Sequence, residues 1–130
     1  MQRVRGLRAF LKLDALGSGA LGVLLAATGG LLADPLGLPT GLLVPAGVFL
    51  VPYAGWLWYL ATRPTVSPAA ARVVVTGNLL WIVASVTLVA AGWFSPTALG
   101  IGFVLVQAAA VAGFVAGQYA GLRRVGAGVA

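Results

Sequence analysis

The chain has 130 residues, 61% of them hydrophobic and 8% charged, and its mean hydropathy is +1.05; a soluble domain runs at roughly 45–50% apolar and about 25% charged. Eight basic and two acidic side chains cannot surround the apolar surface of a water-soluble globule, so soluble enzymes and soluble nucleic-acid binders are excluded despite the net charge of +6. The composition is that of a membrane protein, read as a single domain over residues 1–130.

The missing residue types narrow the chemistry. There is no Cys, no His and no Glu, so the chain lacks the thiolate and imidazole groups on which disulfides, most zinc sites and axial haem ligation depend. No metal site and no cofactor is expected. The one lysine, Lys12, stands at the edge of the first apolar run and offers no Schiff base deep in a membrane. The only acids, Asp14 and Asp34, fall at opposite ends of one predicted helix and cannot act as an acid–base pair.

Four apolar runs, over about residues 13–33, 41–62, 72–93 and 98–122, are each long enough at 1.5 Å per residue to cross about 30 Å of hydrocarbon. They are predicted helices because a lipid-exposed backbone must satisfy its own hydrogen bonds and four strands cannot close a barrel. The basic start and the first run also fit a signal peptide with Ala26-Ala27-Thr28 at the cleavage site. The run continues through Gly29-Gly30 to Leu32-Ala33, beyond an h-region of roughly 7–15 residues, which favours a retained helix.

The connector 34–40, with two prolines and a glycine, predicts the end of the first helix, and Thr40 is placed to cap the second. Pro45 and Pro52 fall on nearly one face of the second helix. Each frees a carbonyl one turn earlier, which makes either a hinge or cavity or a bend that neighbouring helices re-satisfy. Ser67-Pro68 reads as an N-cap followed by proline at the first helical position, so the third helix starts ahead of its membrane part and carries Arg72 on its first turns. Ser95-Pro96-Thr97 repeats that pattern before the fourth. Short connectors predict antiparallel sequential neighbours: an all-α, up-down-up-down integral membrane four-helix bundle. Pro39-Thr40 and Pro96-Thr97 are alike, but little else aligns between the halves, so turn chemistry accounts for the likeness better than duplication does.

Charge supplies orientation. The basic residues are Arg3, Arg5, Arg8 and Lys12 before the first helix, Arg63 and Arg72 around the middle connector, and Arg123 and Arg124 after the fourth helix; the other two connectors have none. The positive-inside rule then predicts both termini and the middle connector in the cytoplasm. Orientation accounts for these charges without a nucleic-acid partner.

Small residues mark close helix approach in lipid. Ser18, Gly22, Ala26 and Gly30 recur along the first helix and Ala109, Gly113, Gly117 and Gly121 along the fourth, predicting that these two helices pack through their stripes, within one bundle or as a dimer seam. Trp56, Trp58, Tyr59, Tyr119 and Trp93-Phe94 sit where interfacial belts place aromatics. Trp81 lies mid-helix, and its indole N–H needs a partner.

The candidate site is the set of polar residues inside the spans, because a polar or ionisable group in hydrocarbon is a functional candidate by default. Asp14, Asn78 and Gln118 occupy overlapping depths, Gln107 lies three turns from Gln118 on nearly the same face, and Asn78, Trp81 and Ser85 form a line on the third helix. In one reading Asp14 binds a proton or cation at the mouth of a pathway lined by the amides. In the favoured one it pairs with Arg8, Lys12 or Arg72 near headgroup water, while the amides bond across helices.

From end to end the chain resembles small four-span integral membrane proteins of high-GC, actinobacterial-type bacteria. The residues that carry this are Leu13-Asp14-Ala15, Leu36-Gly37-Leu38-Pro39, Gly47 with Phe49-Leu50, Trp58 with Arg63-Pro64, Asn78-Leu79-Leu80-Trp81 with Ser85, Gly92-Trp93 with Pro96-Thr97, Gln107-Ala108, and Gly121-Leu122-Arg123-Arg124. The resemblance implies location and fold and brings no activity with it. In size the chain is also similar to small multidrug resistance transporters, which hold a Glu well inside their first helix where this chain has Asp14 near the edge. The expected protein is a multi-pass component of a bacterial inner membrane, non-enzymatic and serving as a packing or accessory unit. Its partners are the lipid bilayer and either further copies or a larger membrane complex. The alternative is a small oligomeric transporter or channel using Asp14; an intramembrane enzyme ranks third, for want of a nucleophile and base.

Overall fold

The computed structural model describes residues 2–126, with side chains from Gly6 to Arg123. It contains four helices, α1 (Gln2–Leu36), α2 (Thr40–Thr62), α3 (Pro68–Ala90) and α4 (Ala98–Gly126), and no strand among the described residues. Each helix holds a segment long and apolar enough to cross a membrane: Gly6–Leu36, Thr40–Thr62, Pro68–Ala90 and Ala98–Arg123. The protein is a membrane-spanning four-helix bundle.

The bundle is arranged around α1, which packs closely on α2 and on α4, while α4 also packs on α3. Sequential neighbours are therefore in close contact except for α2 and α3. That pair is joined by a short link at one end and bridged by side chains, with Leu57, Leu60 and Ala61 of α2 sharing a buried cluster with Ala71, Val74 and Val75 of α3. Of the buried α2 residues, Leu43, Gly47, Leu50, Ala54, Leu57 and Ala61 alternate steps of four and three, and Leu60 lies off that stripe, in the cluster shared with α3. This narrow, heptad-like stripe suits one close partner, α1.

The outer surface is apolar, as lipid requires, with Leu31 79%, Val106 71% and Leu80 65% exposed. The buried apolar residues fall into two groups. One fills the end that carries the basic residues, around Leu7, Leu11, Leu57, Val74 and Val115; the other fills the far end, around Leu25, Leu36, Leu38, Leu43 and Val104. The interior polar residues lie beside and between these two plugs.

The helix ends depart from expectation in instructive ways. α1 runs through Asp34-Pro35 to Leu36 with Pro35 inside it, because proline in a last turn forfeits only one backbone bond and the chain turns just afterwards. Gly37 then adopts φ +66, and Leu38 and Gly37 donate their N–H groups to the carbonyls of Ala33 (3.1 Å) and Asp34 (3.2 Å), the pattern of a Schellman cap. The remaining terminal carbonyls of α1 are taken by the loop before α4: Thr97 donates its hydroxyl to Pro35 (2.7 Å) and its N–H to Leu36 (3.1 Å). α3 stops at Ala90, three residues short of expectation, by the same device. Gly92 has φ +69, and Trp93 and Gly92 donate to Leu88 (3.0 Å) and Val89 (3.2 Å).

The caps also differ. Ser67 caps α3 as its sequence predicts, accepting from the Ala70 N–H at 3.2 Å ahead of Pro68. Thr40 does not cap α2, whose N-cap is Pro39 with no side-chain bond. At α4 the cap is Thr97 rather than Ser95, with its hydroxyl accepting from Gly100 N–H at 3.0 Å. Pro45 and Pro52 point outward from an unbroken α2 and line no part of the interior.

Candidate functional site: a buried polar network beside an apolar cavity

Asp14, Asn78 and Gln118 come together in the core, from α1, α3 and α4. Asp14 and Gln118 are 0% exposed and Asn78 is 5% exposed. The Asp14 carboxylate accepts from the Ser18 hydroxyl on Oδ1 (2.9 Å), and on Oδ2 from Asn78 Nδ2 (2.7 Å) and Gln118 Nε2 (2.8 Å). Asn78 Nδ2 also donates to Gln118 Oε1 (3.2 Å). Gln118 Nε2 reaches the Phe10 carbonyl at 3.4 Å. The remaining helix, α2, joins through Tyr53, whose hydroxyl donates to Asn78 Oδ1 at 2.8 Å. One carboxylate and two amides thus tie all four helices.

These contacts overturn the expected ion pairs. All hydrogen-bond donors to Asp14 among the described residues are neutral, while Arg8 donates to the Pro64 carbonyl at 2.6 Å and Lys12 lies 5.5 Å from the centre of the Trp58 ring. Arg72 opens on a separate pocket. The reason is rotational: Asp14 follows Leu7 and Leu11 on the inward face, whereas Lys12 points outward. Asp14 is also sealed from headgroup water, being 0% exposed, because α1 starts at Gln2, more than three turns before it, and not near Leu13 as the apolar run alone predicts.

Gln107 belongs to a second cluster, not to a continuous line with Gln118. Trp81 Nε1 donates to Gln107 Oε1 (2.7 Å), and Gln107 Nε2 donates to Ser85 Oγ (3.0 Å) and to the Val104 carbonyl (2.8 Å). The Ser85 hydroxyl bonds back to the Trp81 carbonyl at 2.8 Å. The indole therefore has the partner that a mid-membrane tryptophan requires.

Between the clusters lies a cavity of about 230 Å³ touched by all four helices. Its polar edge is formed by Ser18, Tyr53, Asn78, Trp81 and Gln107, and its wall is mostly apolar and includes Phe49 and Phe114. Phe49 is also 57% exposed on the outer surface, so the cavity borders the lipid side of α2. Mostly apolar pockets with a few convergent polar groups are the usual form of small-molecule sites.

The small-residue stripes divide among different neighbours. Gly22 faces α2: a Cβ there would lie 2.9 Å from Leu50 Cβ and 3.0 Å from the Gly47 carbonyl. A Cβ on Gly47 would in turn run into Ala26 N–H and come 2.6 Å from the Gly22 carbonyl. Ala26 belongs to this α1–α2 seam, Ser18 serves Asp14, and Gly30 is exposed. On α4, Gly117 and Gly121 do pack on α1, against Phe10 and Leu7, but Ala109 and Gly113 face outward and Gly113 has nothing near it. The expected stripe-to-stripe contact of the first and fourth helices is thus corrected, because side chains of α1 fill the α4 grooves. The close approaches at Gly47, Gly29 and Gly100 and the hydrogen bond of Tyr53 are not anticipated by the sequence. A tyrosine placed mid-span, whose hydroxyl needs a partner, was the available signal for the last.

No family model matches the chain, and no curated protein or solved structure matches it. Its class rests on its own geometry: a membrane four-helix bundle with a buried polar network.

Proposed function

We propose that this chain is a non-enzymatic packing or accessory component of a bacterial inner membrane, with both termini in the cytoplasm, working beside further copies of itself or inside a larger membrane complex. One observation carries the reading. The interior polar groups are used up in holding helices together: the amide nitrogen of each of Asn78, Gln107 and Gln118 donates twice, and every one of their amide oxygens accepts. Among the described residues the single buried side-chain polar atom without a partner is Arg8 Nε, outside the network. Among the described residues buried apolar clusters fill both ends of the bundle, and the outward Ala109 and Gly113 give α4 a shallow face on which a neighbouring helix can lie.

A second reading, a small transporter or channel using Asp14, draws on the cavity, which touches Ser18 and Asn78, two donors to that carboxylate. Reconstituted vesicles with an imposed proton gradient separate the two. The accessory reading expects no flux of protons or lipophilic cations in wild type or Asp14→Asn, and native mass spectrometry of gently extracted protein retaining a second copy or another membrane protein. Flux in wild type that disappears in Asp14→Asn replaces it with the transporter.

A further inference from the structure

At the basic end, α3 and α4 frame a second pocket, of about 440 Å³, lined by Arg72, Val75 and Thr76 from α3 and Tyr119, Leu122 and Arg123 from α4. Each helix contributes residues at i, i+3 and i+4, so two short faces are turned toward one space. Arg72 and Arg123 stand nearest the basic end of their helices, Thr76 and Tyr119 about one turn deeper, and Val75 and Leu122, both buried, stand between them along the lining. Arg123 is held near Tyr119, its guanidinium carbon 5.8 Å from the ring centre.

The charge in this pocket has no counterpart in the protein's acidic side chains. The chain has two acids: Asp14 is enclosed by Ser18, Asn78 and Gln118, and Asp34 lies at the other end of α1. Two guanidiniums from different helices, beside two hydroxyl-bearing side chains and two buried apolar ones, call for an anion from outside the chain. Guanidinium geometry suits the oxygens of phosphate in particular, and basic pockets between spans are where anionic headgroups lodge. The geometry points to this pocket as a phosphate-binding site formed by Arg72 and Arg123, with Thr76 and Tyr119 as the neighbouring hydroxyls. The phosphate is carried either by an anionic phospholipid headgroup or by a free anion. The inference is independent of whether the central cavity takes a ligand.

The test is native mass spectrometry of the intact purified protein titrated with phosphatidylglycerol, with phosphatidylcholine, and with inorganic phosphate as competitor. Phosphatidylglycerol should be retained in preference to phosphatidylcholine, and Arg72→Gln or Arg123→Gln should each weaken retention about fivefold, the usual effect of one basic residue at a membrane surface. Arg63→Gln removes a charge of the same end that stacks on Tyr59 outside the pocket, and should leave retention unchanged. Competition by inorganic phosphate identifies a free anion as the ligand; its failure to compete identifies the lipid. Equal retention of the two lipids, or equal losses in all three variants, overturns the site and leaves only diffuse surface charge. Size-exclusion profiles of the variants matching wild type exclude misfolding as the cause of a loss.

Discussion

Asn78 Nδ2 stands 2.7 Å from the Asp14 carboxylate across 64 positions of sequence, and the same amide accepts from Tyr53. Asn78 is therefore the residue through which α1, α2 and α3 are joined, with Gln118 adding α4. Replacing it by Leu withdraws one donor from Asp14, one from Gln118, and the acceptor of Tyr53, all buried or half-buried. Leaving such groups unpartnered costs about 1–3 kcal/mol, so Asn78→Leu should lower unfolding stability in detergent by that order. Asp14→Asn should cost less, because an amide oxygen still accepts at the Oδ2 position and its nitrogen can donate to the Ser18 oxygen. Equal losses in both variants would mean that the charge of Asp14, not the hydrogen-bond connectivity, holds the network.

The α1–α2 seam gives a sharper contrast. Any side chain on Gly47 meets the α1 backbone at Ala26 and Gly22, so even Gly47→Ala should force the helices apart and lower the melting temperature. Gly113, with open space around it, predicts the opposite: alanine gains about 1 kcal/mol of helix propensity and meets nothing. If α4 is a seam between copies, Gly113→Leu should change the oligomer size while leaving the monomer folded. Melting curves and size-exclusion profiles of the three variants check this.

Much of this architecture was legible in the sequence because lipid forces it. Spans had to be long and apolar, and in such runs Asp14, Asn78 and Gln118 stood out as polar groups, although the burial of Asp14 away from headgroup water was not legible. Their shared depth followed from counting turns. What could not be read was rotation of one helix against another. Periodicity shows that Gly22 and Gly117 share faces with other small residues, but a stripe does not name its partner, and the true seam uses Gly47, which belongs to no obvious stripe. Rotation also decides that Lys12 points away from Asp14, two residues distant. The helix ends were misread for a local reason: Pro35 and Thr40 carry strong signals for termini, yet the ends are set by Gly37 and Gly92 at positive φ, and the loop before α4 satisfies α1.

That loop contact gives a third prediction. Thr97 caps α4 through Gly100 and donates to Pro35 at the end of α1. Thr97→Val keeps the shape and removes both hydroxyl bonds, so the loss should exceed that of an ordinary cap, which is about 1 kcal/mol. Ser95→Ala, at the position whose sequence pattern resembles a cap, should be nearly silent. Chemical or thermal unfolding in detergent distinguishes them, and a larger effect at Ser95 would contradict the capping geometry.

Orientation is the last expectation, and it rests on charge. Arg63 and Arg72 flank the link between α2 and α3, while the loops between α1 and α2 and between α3 and α4 carry no basic residue. If that asymmetry fixes topology, the link faces the cytoplasm and the two other loops face outward. Thr65 and Asp34 are suitable reporters, since both are exposed in the structure, and neither side chain takes part in the network around Asp14. Single cysteines at these positions need no background removal, because the chain has no cysteine of its own. An impermeant thiol reagent added to intact cells should label Asp34→Cys and spare Thr65→Cys, and permeabilisation should expose the second. Labelling of Thr65→Cys from outside, with Asp34→Cys protected, would invert the protein, and the Arg72–Arg123 pocket would then face the outer leaflet.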